Sequence, residues 1–138
     1  MPASVTCVTQ SYNPPNPSAQ YIWNYMNGLI DEEFCTNDTH DNISPDQVPC
    51  IAIFYGQDIQ GFGTAPHVSI GTNAPNYDNI LQDLNLADLT TTGDYVSKFV
   101  STKTSPITNG VPITLRVKSK ATATVYDFTC TLYCLPRI

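Results

Sequence analysis

The chain has 138 residues, of which 41% are hydrophobic and only 13% charged, about half the usual charged share. Twelve carboxylates against six Lys and Arg leave a formal charge of −6, which excludes a globally cationic nucleic-acid surface and disfavours docking on anionic membranes. One Trp, eight Tyr and five Phe exclude a disordered chain, and the length suits a single domain over residues 1–138 with enough core to fold without covalent staples.

The start, Met1-Pro2-Ala3-Ser4-Val5-Thr6, lacks the basic-then-apolar layout of a signal peptide. An intracellular protein and a mature form with an added Met both stay open, so no compartment is assigned. Residues 1–17 read as an extended N-terminal segment, stiffened by the Asn-Pro-Pro-Asn-Pro run at 13–17. Ser18 suits an N-cap, and Ile22, Tyr25, Met26, Leu29, Ile30 and Phe34 recur every three or four positions. That spacing predicts a helix over 18–34, with Gly28 weakening it by about 1 kcal/mol relative to Ala. A polar loop follows over 35–47. Residues 48–55 form a continuous apolar run rich in β-branched and aromatic side chains, the pattern of a buried strand. Gly56-Gln57-Asp58 then makes a turn, and 59–62 return as a partner strand.

Residues 67–70 suit a short strand. Asn76 or Asp78 can cap a short helix whose apolar face is Ile80, Leu81 and Leu84. Tyr95, Val96, Phe99 and Val100 follow Asp94 at helical spacing and predict another helix, although the segment's length also suits a strand. Val111, Ile113, Leu115 and Val117 alternate with Pro112, Thr114, Arg116 and Lys118, as a half-buried strand does. Tyr126, Phe128, Cys130, Leu132 and Cys134 repeat the same period. A two-residue loop at Ser119-Lys120 would set Val117 opposite Thr122 and Ile113 opposite Tyr126, with both apolar sets on one sheet face. Pro112, facing outward, marks an edge or a strand start. The expected class is therefore α+β: an N-terminal helix and one or two short helices packed on one face of a mainly antiparallel curved sheet.

Chemistry is sparse. No apolar run reaches the length of a membrane span. The Gly-x-Ser-x-Gly elbow is absent, and Gly56, Gly61 and Gly63 match no phosphate-binding loop. The Cys and His residues lack zinc spacing. Asp31, Glu32, Glu33, Asp38, Asp41 and Asp46 crowd one stretch but lack the alternation of a calcium loop, and read as a solvated acidic surface. No metal and no cofactor are expected. The basic residues Lys98, Lys103, Arg116, Lys118, Lys120 and Arg137 all fall in the last third and suit solubilising charges on strand edges.

A few residues stand out as candidates. His40 sits in the polar loop and reads as solvated. His67 follows Pro66 and precedes an apolar pair, so it can line a cleft, with Asp58 to orient it as a candidate catalytic acid–base pair. Trp23, beside the apolar face of the predicted helix, together with Tyr55 and His67, are the candidate binding residues. Cys35 and Cys50 bracket the polar loop and form the candidate disulfide; buried reduced thiols are the competing state. Cys130 and Cys134 lie about 13 Å apart along one strand face, too far for a mutual bridge. The two sequons, Asn37-Asp38-Thr39 and Asn42-Ile43-Ser44, occur at the rate that composition alone gives.

The stretch Phe54-Tyr55-Gly56-Gln57-Asp58-Ile59-Gln60-Gly61 resembles the NTF2-like family, in which a strand, a Gly turn and a Gly-ended return strand precede a helix like residues 77–84 here. The predicted N-terminal helix and C-terminal hairpin follow that family's order, whereas the insertion around 67–73 and the missing last strand depart from it. The resemblance implies a curved sheet whose concave face forms a pocket, used for protein docking or for isomerase and dehydratase chemistry.

Three functions are carried forward. The first is a non-enzymatic protein-binding or assembly module that meets a protein partner, or a second copy, through a sheet face or edge. The second is an NTF2-like small-molecule pocket enzyme using His67 and Asp58. The third is a secreted glycoprotein recognition domain.

Overall fold

Alternation by two, not by three or four, governs most of the described residues. The computed structural model describes residues 6–12, 18–26, 32–38, 46–59, 64–89, 91–99, 106–108, 111–118 and 126–136. They form nine strands: β1 Thr6–Tyr12, β2 Ala19–Met26, β3 Glu33–Asn37, β4 Gln47–Ile59, β5 His67–Gly71, β6 Leu81–Asn85, β7 Tyr95–Phe99, β8 Ile113–Val117 and β9 Tyr126–Pro136. One turn of 3-10 helix, Leu86–Asp88, follows β6. The α+β expectation is thereby corrected to an all-β sandwich.

The N-terminal helix is strand β2. Its segment carries two apolar sets at once, and the period-two set of Ala19, Tyr21, Trp23 and Tyr25 is the one buried. Aromatic side chains at alternate positions pack well on a pleated surface. The backbone is then satisfied on both sides, by β1 and by β9. Residues 27–31, in the second half of the predicted helix, lie outside the described residues. The helix expected around Ile80, Leu81 and Leu84 is β6, and the one expected after Asp94 is β7. Each is only five residues long, too short for periodicity to separate the two states.

The strands make two antiparallel sheets, one ordered β1-β2-β9-β4-β7 and the other β3-β8-β5-β6. From β2 onward the pairing is nested: β2 with β9, β3 with β8, β4 with β7 and β5 with β6. The chain is folded back on itself as one long hairpin and rolled into two layers, which is the eight-strand jelly-roll arrangement, with β1 added at an edge.

Alternation in the last two strands is as the sequence predicts: Ile113, Leu115 and Val117 are buried, as are Phe128, Cys130, Leu132 and Cys134. Their pairing is not. β8 lies between β3 and β5 in the four-stranded sheet, while β9 lies between β2 and β4 in the other. The two apolar sets face each other across the sandwich instead of sharing one face. The Ser119-Lys120 loop and Thr122 lie outside the described residues.

One contiguous core fills the space between the sheets, dominated by Tyr21, Trp23, Tyr25, Phe54 and Phe128. The Tyr25 and Phe128 rings are 5.0 Å apart, and Phe54 stands 6.0 Å from Phe128. Three polar or covalent ties clamp the sheets together near β1, β2 and β3. Trp23 Nε1 donates to the Cys35 carbonyl at 3.0 Å. The Asn37 amide donates to the carbonyls of Gln10 and Ile22, at 3.0 and 3.1 Å. Cys7 and Cys35 are disulfide-bonded, with Cα atoms 6.0 Å apart. The expected Cys35–Cys50 bridge is therefore corrected: Cys35 points into the sandwich toward β1, and Cys50 is a free thiol on β4.

Candidate functional site

Each sheet has an inner face in the core and an outer face, and the two outer faces differ in kind. On the four-stranded sheet the outward side chains include two matched ion pairs beside one exposed apolar ring, Phe34. Arg116 donates from Nε to Glu32 Oε1 at 3.1 Å, with a second nitrogen 3.0 Å from the same oxygen. Its guanidinium also stacks 5.7 Å from the centre of the Phe34 ring. Lys118 Nζ lies 2.8 Å from Asp83 Oδ1, and His67 Nδ1 is 3.3 Å from that same oxygen. The Lys118 hydrogen bond, above all, holds the Asp83 carboxyl below its ordinary value.

Residues 72–79 roof part of this face. The loop is tied by its own Asx contacts: Asn79 Oδ1 accepts from Thr72 N at 2.8 Å, and Asn73 Oδ1 accepts from Asp78 N at 2.9 Å. It is anchored below by Ser69 Oγ and Arg116, both donating to the Asn76 carbonyl, and by the Tyr77 ring edge-on to Phe34 at 5.6 Å. Gly71 makes the close approach possible. A Cβ there would sit 2.5 Å from the Tyr77 carbonyl carbon.

The outer face of the five-stranded sheet is open and nearly uncharged. Parity along the ladders points Val8, Gln10, Tyr12, Ile22, Asn24, Ile51, Ile53, Tyr55, Tyr95, Ser97, Thr129, Thr131, Tyr133 and Leu135 outward. Among the outward-pointing described residues of these five strands, the charged ones are Asp58 and Asp127, opposite each other at one end. Val8, Tyr12, Tyr55, Tyr133 and Leu135 are all exposed, and Tyr95 keeps 70% of its surface in water. At the other end, Cys50, Ile51, Ile53, Tyr133, Cys134 and Leu135 line a shallow apolar depression of about 380 Å³.

The candidate residues separate accordingly. Trp23 is fully buried and braces the core. Tyr55 is on the open face, cross-strand from Tyr95. His67 and Asp58 are not brought together: His67 opens β5 on the four-stranded sheet and pairs with Asp83, while Asp58 ends β4 on the other sheet beside Asp127. The helix implied by the resemblance at residues 77–84 is the end of the roof loop followed by β6. Asn37 of the first sequon is buried with its amide hydrogens on backbone carbonyls, so no glycan fits there in the folded chain. Asn42, His40 and the basic residues Lys103, Lys120 and Arg137 lie outside the described residues.

Sequence reasoning passed over Tyr95, Tyr133 and Leu135. The signal for the last two was present: once Phe128, Cys130, Leu132 and Cys134 are assigned inward, Thr129, Thr131, Tyr133 and Leu135 must point out.

Among the described residues no group of three or more His, Cys, Asp or Glu is placed to hold a metal ion, and no helix is long and apolar enough to cross a membrane. No family model, curated protein or solved structure matches this chain.

Proposed function

We propose that this chain is an assembly module that associates with further copies of itself through the outer face of the five-stranded sheet. The observation that carries the reading is the set of exposed Tyr12, Val8, Tyr55, Tyr95, Tyr133 and Leu135 on a face whose described outward residues are uncharged except at one end. Large apolar patches with polar rims mark contact surfaces, and Tyr is enriched and charge depleted at their centres. Gln10, Gln20, Asn24, Thr129 and Thr131 interleave polar groups among the exposed apolar side chains. The jelly roll itself supports capsid, lectin and enzyme functions alike, so the surface and not the fold bears the argument.

A second copy suits this face for an electrostatic reason. Chains of net charge −6 repel one another, and that repulsion is least where two uncharged surfaces meet. The paired ions of the other sheet stay in water in such an arrangement.

Sedimentation equilibrium over a wide concentration range tests this. The native chain is expected to associate reversibly, and the double variant Tyr95→Lys/Leu135→Lys to weaken association at least tenfold, about 1.4 kcal/mol or more, with unchanged unfolding in urea. A native chain that stays monomeric at the highest concentrations, or a variant that associates as well as the native chain, would remove the proposal.

A further inference from the structure

We infer that Cys50 and Cys134 form a second disulfide site, closed by exchange with a low-molecular-weight disulfide of the glutathione type. The ladder between β4 and β9 slips at this point: Pro49 is paired with Cys134 and Ile51 with Tyr133, leaving Cys50 as the extra residue of a bulge. In such a bulge two residues of one strand oppose one residue of the other, so Cys50 sits between the Cys134 and Tyr133 rungs, and its thiol is near enough to Cys134 to act on it. Cross-strand neighbours have Cβ atoms about 4.5–5.5 Å apart, close to the 3.5–4.5 Å that a disulfide requires. Both residues border the same apolar depression, and both thiols are free.

The two thiols differ in access, which sets the order of events. Cys50 is half-exposed, and its Sγ makes only a long 3.4 Å hydrogen bond to the Val48 carbonyl. Cys134 is buried; burial pushes its thiol far up, and the neighbouring Cys50 adds to the shift. The Cys50 thiolate therefore attacks first, on one sulfur of the small disulfide, and releases one small thiolate. Cys134 then gives up its proton and attacks the Cys50 sulfur, expelling the second small thiolate. Two protein thiols are oxidised to one disulfide and the small disulfide is reduced to two thiols. Cys130, fully buried opposite Phe54, is a built-in control on the same strand. Both sulfurs belong to one chain, and because the depression lies on the face proposed for self-association the reaction is run at concentrations where the chain is monomeric.

The test is to incubate the folded protein with oxidised glutathione, quench in acid, alkylate the denatured chain and map the peptides by mass. Free thiols are expected to fall from three to one, with Cys130 alkylated and the Cys50 and Cys134 peptides joined. In Cys134→Ser, Cys50 is expected to keep one stable glutathione adduct. A native chain that retains glutathione on Cys50 with Cys134 still alkylatable overturns the inference, as does a Cys50–Cys50 link between chains or no thiol loss at all. The native measurement alone decides the matter if the variant does not fold.

Discussion

The two outer faces of this sandwich are built by the same alternation yet filled with opposite chemistry. On the four-stranded sheet every cation with a described side chain finds a carboxylate, Arg116 with Glu32 and Lys118 with Asp83, and a loop lies over what remains. On the five-stranded sheet tyrosines, isoleucines and threonines point into water with no loop described over them. A face that satisfies itself has little left to offer a partner. A face that leaves aromatic surface in water gains free energy from being covered. Function is therefore sought on the second sheet.

The largest expected effect tests the inside of that sheet against its outside. Trp23→Ala removes a fully buried ring and leaves the Cys35 carbonyl without its donor, and is expected to cost about 3–5 kcal/mol in urea unfolding. Tyr95→Ala, on the exposed side, is expected to stay within about 0.5 kcal/mol in dilute monomer. Equal costs for the two would mean that the outer face is packed within the chain, and the contrast between the faces would fail.

The same pair of residues shows what the sequence allowed a reader to see. Strands β8 and β9 were legible because their apolar sets have one period only, and β4 from its continuous apolar run over 48–55, although the turn expected at Gly56-Gln57-Asp58 is strand that runs on to Ile59. The segment of β2 was not, because Tyr21, Trp23 and Tyr25 interleave with Ile22 and Met26, and both periods fit. Its partner β9 lies more than a hundred residues away, as Tyr21 opposite Leu132 illustrates, and no local signal encodes that pairing. The mistake about β8 and β9 has the same root. Two inward-facing sets agree equally well side by side in one sheet or face to face across two. A helix places Trp23 at the margin of its apolar face, which is what makes it a candidate binding residue, whereas the strand places it at the centre of the core. The disulfide was missed likewise, since the proximity of Cys7 and Cys35 follows from β1 and β3 meeting across the sandwich.

A smaller effect is expected from lifting the roof on the four-stranded sheet. In Gly71→Ala the new Cβ would meet the Tyr77 backbone and the side-chain oxygens of Asn73 and Asn79, all within 2.6 Å. Backbone cannot yield as a flexible side chain can, so the loop must shift, at a cost of about 1–3 kcal/mol. Hydrogen exchange at the Asp78 amide, now held by Asn73 Oδ1, should quicken, while self-association stays at the native level. A loss of association in this variant would show that the roofed face takes part in assembly after all.

The smallest effect separates the two faces by salt and acid. Asp83 is held below its ordinary value of 3.8 because Lys118 favours the ionised form, so the folded chain binds this proton less readily than the unfolded one. Its contribution is present above the ordinary value and fades as pH falls below it toward the folded value. Asp83 is half-exposed, so solvent screening limits the sum to a few tenths of a kcal/mol. The stability difference between the native chain and Asp83→Asn should therefore shrink below about pH 4, and shrink again in molar salt at neutral pH. Association through the other face should respond the opposite way: salt screens the repulsion between acidic chains and leaves apolar burial intact. Self-association that weakens in salt along with the Asp83 contribution would place the contact among the ion pairs, not among the tyrosines.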